Sequence, residues 1–115
     1  MLSESQCIDF FGSKHVSRVY GSDYFDSDSA YKVSRGELEL SFAIHPIHAD
    51  VRVMINDSIG VVVDWSAMGL TSIDLQVKDA RGAAIRMVSQ AGELIVLRIA
   101  PRISFVVTSG PERPS

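Results

Sequence analysis

One cysteine, no apolar run long enough to cross a bilayer and no glycine cluster able to hold a phosphate set the first limits on this chain of 115 residues. Cys7 has no second cysteine to pair with, so no internal disulfide forms, and the chain is not a disulfide-stapled secreted scaffold. The longest apolar stretches, at 59–63 and 94–97, fall far short of the roughly 20 residues a spanning helix needs, so no membrane partner is expected. The eight glycines never fall as G-x-G-x-x-G or G-x-x-x-x-G-K, and no G-x-S-x-G elbow presents a nucleophilic serine. An excess of positive charge is missing too. The net charge is −3, and residues 1–50 carry four basic side chains (Lys14, Arg18, Lys32, Arg35) against eight acidic ones. Such a balance lacks the field that supplies most nucleic-acid affinity, so no nucleic acid is expected and a partner of the N-terminal part is expected to be basic. The first residues show neither a cationic segment nor an apolar one of signal type, which predicts a cytoplasmic protein.

What is present is strand patterning. Hydrophobic residues at 46% and charged residues at 22% are the balance of a globular domain, and the length fits one core. A single domain over 1–108 and a flexible tail over 109–115 are expected. Ser3 followed by Gln6 resembles a capping box, Leu2, Ile8 and Phe11 share a face, and Gly12 is a stop, which predicts a short N-terminal helix. Residues 13–34 are rich in Ser, Asp, Gly and Tyr, with a short strand predicted at 16–20 and a loop at 21–30. From Glu37 onward the period is two: Leu38, Leu40, Phe42 and Ile44, then Val51, Val53 and Ile55, then Ile59, Val61, Val63 and Trp65, then Ile73, Leu75 and Val77. Pro46 ends or kinks the first of these, residues 56–58 and 78–82 supply turns, and strands at 83–89, 93–99 and 102–108 follow. The fold predicted is mainly β, an antiparallel sandwich or strongly curved sheet of about seven strands with a short N-terminal helix. Strands apolar on both faces, near Val62, Val96 and Val106, call for a cover by a second sheet, the helix or a homodimer contact.

Candidate chemistry is sparse. His45, His48 and Asp50 lie within six residues, but zinc needs three or four convergent ligands and Pro46 redirects the chain between them, with only distant His15 to complete a set; the reading is a solvated turn. Counting a calcium loop from Asp26 puts Asp28 at position 3 and Glu37 at 12. Ala30 and Tyr31 then occupy positions 5 and 6, where a ligand and a glycine are required, so no metal or other cofactor is expected. Asp64 beside Trp65 sets a carboxylate against an aromatic wall, as in a glycosidase, but a single Asp-Trp pair carries no specificity, and Cys7 next to Ile8 reads as a small buried hydrophobe. No catalytic residues are assigned. The segment holding Tyr20, Asp23, Tyr24, Phe25, Asp26, Asp28 and Tyr31 is the candidate partner-binding site: rings supply stiff contact area and carboxylates meet a basic protein. The alternative is a solvated loop whose rings cover one end of the core.

The order of features, Phe10, Phe11 and Gly12, a polar segment, the alternating strand from Glu37 to Phe42, Trp65, the strand at 73–77 and the apolar strand at 94–99, resembles the small β-rich immunity proteins of bacterial polymorphic toxin systems. Relatives of that type often carry an acidic motif soon after the early glycine; here Ser13, Lys14 and His15 depart from it and Asp23 and Asp26 come later. The resemblance implies a cytoplasmic, non-enzymatic protein that binds a toxin domain and blocks its active site. Two other classes stay open, a self-associating module and a small-ligand domain or enzyme.

Overall fold

The computed structural model describes residues 1–79 and 82–109. Among them, one helix, α1 (Glu4–Phe11), precedes nine strands: β1 (Ser17–Val19), β2 (Asp28–Arg35), β3 (Leu38–His45), β4 (Asp50–Asn56), β5 (Val61–Ala67), β6 (Ser72–Asp79), β7 (Gly82–Val88), β8 (Leu94–Arg98) and β9 (Ser104–Thr108). They form two antiparallel sheets, β1 to β5 in sequence order and β6 to β9 in sequence order. The chain therefore passes between sheets once, through residues 68–71, where the buried Leu70 donates its N–H to the Ala49 carbonyl at 2.9 Å. Residues 80–81 of the expected turn and 110–115 of the expected tail lie outside the described residues.

The helix starts and stops where its caps dictate. Ser3 Oγ accepts from the Gln6 N–H at 3.2 Å while Gln6 Oε1 accepts from the Ser3 N–H at 2.9 Å, satisfying donors that the first turn leaves free. Gly12 closes it at φ 75°, a left-handed conformation that costs a glycine little, and donates to the Ile8 carbonyl at 2.8 Å. Cys7, Phe10 and Phe11 face inward. Phe11 stacks on Tyr31 of β2 with centroids 5.2 Å apart and meets Phe42 of β3 at 5.1 Å.

Alternation along the strands assigns the core. In the first sheet Tyr31, Phe42, Val53 and Trp65 form one inward row across β2 to β5, and Val33, Leu40, Ile55 and Val63 the next. In the second, Ile73, Met87 and Ile95 form one row and Leu75, Ile85, Leu97 and Phe105 another. Both sets belong to one apolar cluster, so the fold is a sandwich. Each fully buried large side chain contributes about 1.5–3 kcal/mol of transfer free energy, and truncating Phe42 to Ala would cost about 3–5 kcal/mol once the cavity is included.

Nine strands exceed the seven expected, and the main addition is β2. Its first residues, 28–30, fall in the expected loop and most of the rest in the polar segment to which no strand was assigned, yet Ser29, Tyr31 and Val33 point inward and alternate with Ala30, Lys32 and Ser34. The short strand expected at 16–20 is β1. β5 begins at Val61, not Ile59, because the Asp57 carboxylate accepts from the N–H groups of Ile59 at 2.8 Å and Gly60 at 3.0 Å and holds 57–60 as a turn. Pro46 opens a 3-10 turn over Pro46–His48.

The two flanks of the sandwich differ. On one, α1 bridges the sheets: Glu4 pairs with Arg18 of β1, Phe11 packs on β2, and the N-terminal amine lies 3.5 Å from Asp74 of β6. On the other, edge strands β5 and β9 lie over one another, joined by the Trp65 and Phe105 rings with centroids 5.5 Å apart.

Candidate partner-binding site

Strand direction brings separate pieces of sequence to one end of the five-stranded sheet. Val19 is opposite Asp28, and His45 is opposite Asp50, while Met68 follows directly on β5. The loop 20–27 and the Pro46–His48 turn therefore sit side by side, fastened where the Ile47 N–H donates to the Phe25 carbonyl at 3.2 Å.

The loop is built from below. Arg18, whose side chain is mostly buried, pairs with Glu4, donates from Nε to Ser29 Oγ at 2.8 Å and from Nη1 to the Ser22 carbonyl at 3.0 Å, so one guanidinium ties helix, strand and loop together. Ser27 is fully buried and its hydroxyl donates to the Asp23 carbonyl. Tyr24 drops its ring into the core, where its hydroxyl donates to the Leu2 carbonyl at 2.8 Å and lies 3.5 Å from Cys7 Sγ. With Tyr24 inward, Asp23, Phe25 and Asp26 turn out to solvent.

The candidate residues thus divide. Tyr20 is 81% exposed and Phe25 54% exposed, whereas Tyr24 and Tyr31 are at 5% and 0%. Tyr24 and Tyr31 cover the core and offer a partner no surface, because Tyr31 stands on the inward face of β2 against Phe11 and the Tyr24 hydroxyl finds its acceptor only inside. Two of the four rings of the segment are therefore open to solvent and two belong to the core. Asp23 and Asp26 make no ion pair among the described residues, while Asp28 lies 3.2 Å from His45 Nδ1 on the outer sheet face. Tyr20 takes φ 75°, rare for a side chain with a Cβ, which turns the chain sharply out of β1.

Three apolar side chains that sequence reading did not assign to the site join it here: Val19 (47% exposed), Ile47 (60%) and Met68 (80%). No local signal marks them, since each comes from a different element and only the sheet register unites them. Beside them, on the outer face, is a depression of about 360 Å³. Its floor exists because cross-strand partners are small: Ser17 pairs with Ala30 and Ala30 with Ala43, while the small Ser66 stands opposite the longer Arg52. The Arg52 guanidinium is held by a two-point pair with Asp64 at 3.2 and 3.1 Å. Val19 and Met68 supply apolar walls, and Asp28 and Asp50 add carboxylates. Asp50 Oδ1 accepts from the Gly69 N–H at 3.0 Å. This end of the sheet is acidic, apolar at its rim and able to seat one side chain of a partner.

Proton and metal chemistry find little here. Burial pushes the Cys7 thiol up, partly offset by the Tyr24 and Tyr31 hydroxyls, and raises both phenols above their ordinary range, so all three stay protonated near neutrality. His45 and His48 face each other with ring centroids 4.6 Å apart, but no group of three His, Cys, Asp or Glu side chains converges as a metal site among the described residues.

No family model matches the chain, and no curated protein matches it by sequence. Among solved structures, it shares its fold with a chain of the contact-dependent growth inhibition toxin–immunity protein complex from Klebsiella pneumoniae 342, with a TM-score of 0.79 over 93% of each chain and 19% sequence identity. The likeness is one of fold, and it lies where the order of sequence features pointed, in a toxin–immunity system.

Proposed function

We propose that this chain is a non-enzymatic cytoplasmic immunity protein that neutralises a cognate bacterial toxin by direct binding, and that loop 20–27, the Pro46–His48 turn and Met68 form the surface that meets it. The observation that carries the reading is the placement of Tyr20, Phe25, Ile47 and Met68, all more than half exposed, at one end of one sheet with Asp23 and Asp26, which make no ion pair among the described residues. Scattered exposed apolar residues are ordinary on a monomer, but a contiguous rim of them beside free carboxylates is what a steered, anchored interface requires. The fold shared with a chain of a toxin–immunity complex supports the class of partner, and the acidic rim supports a basic surface on it. Asp23 and Asp26 speed encounter, Tyr20 and Phe25 slow dissociation, and the depression receives an apolar side chain of the toxin. An acidic surface set against a basic substrate groove would stand in for phosphate and block entry.

The test begins with capture of the tagged chain and its partner from the source organism. The expected partner is one stoichiometric protein that arrests growth when expressed alone, with growth restored by the wild-type chain and not by a Tyr20→Ala/Phe25→Ala variant. A captured protein harmless on its own would refute the immunity function. Full rescue by the double variant would refute this location for the interface.

A further inference from the structure

The second sheet also reaches the end of the sandwich where the loop 20–27 and Met68 lie. Val88 pairs with Ser72 and Leu94, so the loop 89–93 sits where the chain leaves β5 for β6. That loop is held to itself: Ser89 N–H donates to the Glu93 carbonyl, Gly92 N–H to the Ser89 carbonyl and Glu93 N–H to Ser89 Oγ, each at 3.0 Å. A cleft of about 570 Å³ opens beside it, lined by His48, Asp50, Met68, Gly69 and Gln90. Gly69 sets its chemistry. Its N–H donates to Asp50 Oδ1 at 3.0 Å and its carbonyl accepts from Gln90 Nε2 at 3.1 Å, so one residue fixes two side chains from different sheets. Only glycine suits the position, because φ is 61° and a Cβ there would lie 2.8 Å from Gln90 Nε2. An amide side chain meets a carbonyl with its NH2 group, which leaves Gln90 Oε1 as an acceptor without a donor among the described residues. Asp50 keeps its second carboxylate oxygen and enters no ion pair there, since Arg52, two positions along β4, is turned to Asp64.

We propose that this cleft is a subsite for an arginine side chain of the protein partner, a proposal that rests on the immunity reading for the identity of that partner as a toxin. Chemistry decides between occupants. An apolar side chain would cover the Asp50 carboxylate and Gln90 Oε1 and give them no donor, and an acidic one would meet the Asp50 charge. A cation with several donors satisfies both groups. The guanidinium presents its donors in a planar fork, which suits two acceptors held on separate elements, whereas the ammonium of a lysine is a single point of charge. The apolar stem of the arginine lies along Met68, which is 80% exposed, and the His48 ring offers a flat face, tilted against His45 with centroids 4.6 Å apart. Asp50 and Met68 also line the depression on the outer sheet face, so the two openings share a wall and divide their cargo, apolar in one and cationic in the other. The cleft serves specificity as much as affinity: a toxin with a neutral residue at this point would strip water from Asp50 and put nothing in its place.

Titration calorimetry of the captured partner against the full chain and two variants tests the subsite. Asp50→Asn keeps an oxygen for the Gly69 N–H and removes the charge, and Gln90→Met keeps the length and removes the acceptor. Both should fold with an unchanged circular dichroism spectrum, while affinity falls about tenfold for the first and about threefold for the second. Replacing the arginines of the partner by alanine one at a time should single out one whose loss makes Asp50→Asn silent. Wild-type affinity in both variants, or losses that couple to no arginine, overturns the proposal. A readout that needs neither variant nor partner comes from the amide resonances of Gly69 and Gln90 in the wild-type chain. They should shift with N-acetyl-arginine amide in the tens of millimolar and not with its neutral isostere, N-acetyl-citrulline amide; equal responses to the two compounds overturn the proposal as well. The two readings fail separately. A captured protein that is harmless alone yet couples one of its arginines to Asp50 refutes the immunity function and keeps the subsite, whereas a growth-arresting partner that binds both variants like the wild type keeps the function and refutes the subsite.

Discussion

The Tyr24 hydroxyl donates to the Leu2 carbonyl at 2.8 Å across 22 positions of sequence, joining the loop between β1 and β2 to the residue that precedes the helix cap. Leu2 is fully buried, so its carbonyl has no water to turn to. Tyr24→Phe keeps the ring and removes the donor, and the expected loss is about 1–3 kcal/mol in denaturant unfolding. Because the ring still fills its place, the loop should keep its shape, and affinity for a captured partner should change by less than about threefold (~0.7 kcal/mol). A loss below about 0.5 kcal/mol would show that the carbonyl recovers a partner without Tyr24.

Tyr20 and Tyr31 lie eleven positions apart and should respond in opposite ways to truncation. Tyr20→Ala and Phe25→Ala remove exposed rings, so the unfolding midpoint should hold within about 0.5 kcal/mol while partner affinity falls about 10- to 100-fold. Tyr31→Ala opens a hole beside Phe11 and Phe42 and should cost about 3–5 kcal/mol of stability. Titration calorimetry together with chemical denaturation separates the two. Equal stability losses at Tyr20 and Tyr31 would show that the loop rings act as one core.

Where sequence reading succeeded, the signal was local. The capping box at Ser3 and Gln6, the stop at Gly12 and the period-two runs of β3 and β4 depend only on neighbours within a few residues, and the structure follows them. β2 was missed because its outward positions, Asp28, Ala30, Lys32 and Ser34, include turn-forming residues that mask three inward ones. Which rings of the candidate segment face solvent was not legible for a related reason. Composition identifies an aromatic and acidic segment, but which rings point out is decided by an acceptor at Leu2 and a stacking partner at Phe11, both remote in sequence. Ile47 and Met68 were invisible as site residues because only strand register places them beside Phe25 and Val19.

Charge at the rim should act on encounter and not on residence. Asp23 and Asp26 are exposed and unpaired among the described residues, so Asp23→Asn/Asp26→Asn should leave stability unchanged. The association rate with a basic partner should fall about three- to tenfold at low ionic strength, and the slope of its logarithm against salt should flatten. Stopped-flow mixing at several salt concentrations reads both. A change confined to the dissociation rate would place these carboxylates inside the contact instead of around it.

Cys7, Tyr24 and Tyr31 should together make the fold sensitive to alkali. All three acids have folded-state pKa values raised, chiefly by desolvation, so the folded chain keeps protons that the unfolded chain releases. Their contribution is complete below the unfolded pKa values, about 8.5 for a cysteine and about 10 for a tyrosine, and declines as pH rises past them. Each such group lowers stability by about 1.4 kcal/mol per pH unit in that window. Unfolding free energy measured between pH 7 and about pH 9.5 should therefore be flat at first and then fall as the thiol of the unfolded chain ionises. Cys7→Ala should lower the whole curve through its small cavity and remove that fall, because Tyr24 and Tyr31 are not yet released. A curve for Cys7→Ala parallel to that of the wild type would mean that the buried thiol ionises as freely inside the fold as outside, and that the Tyr24 and Tyr31 hydroxyls beside it stabilise the thiolate as well as water does.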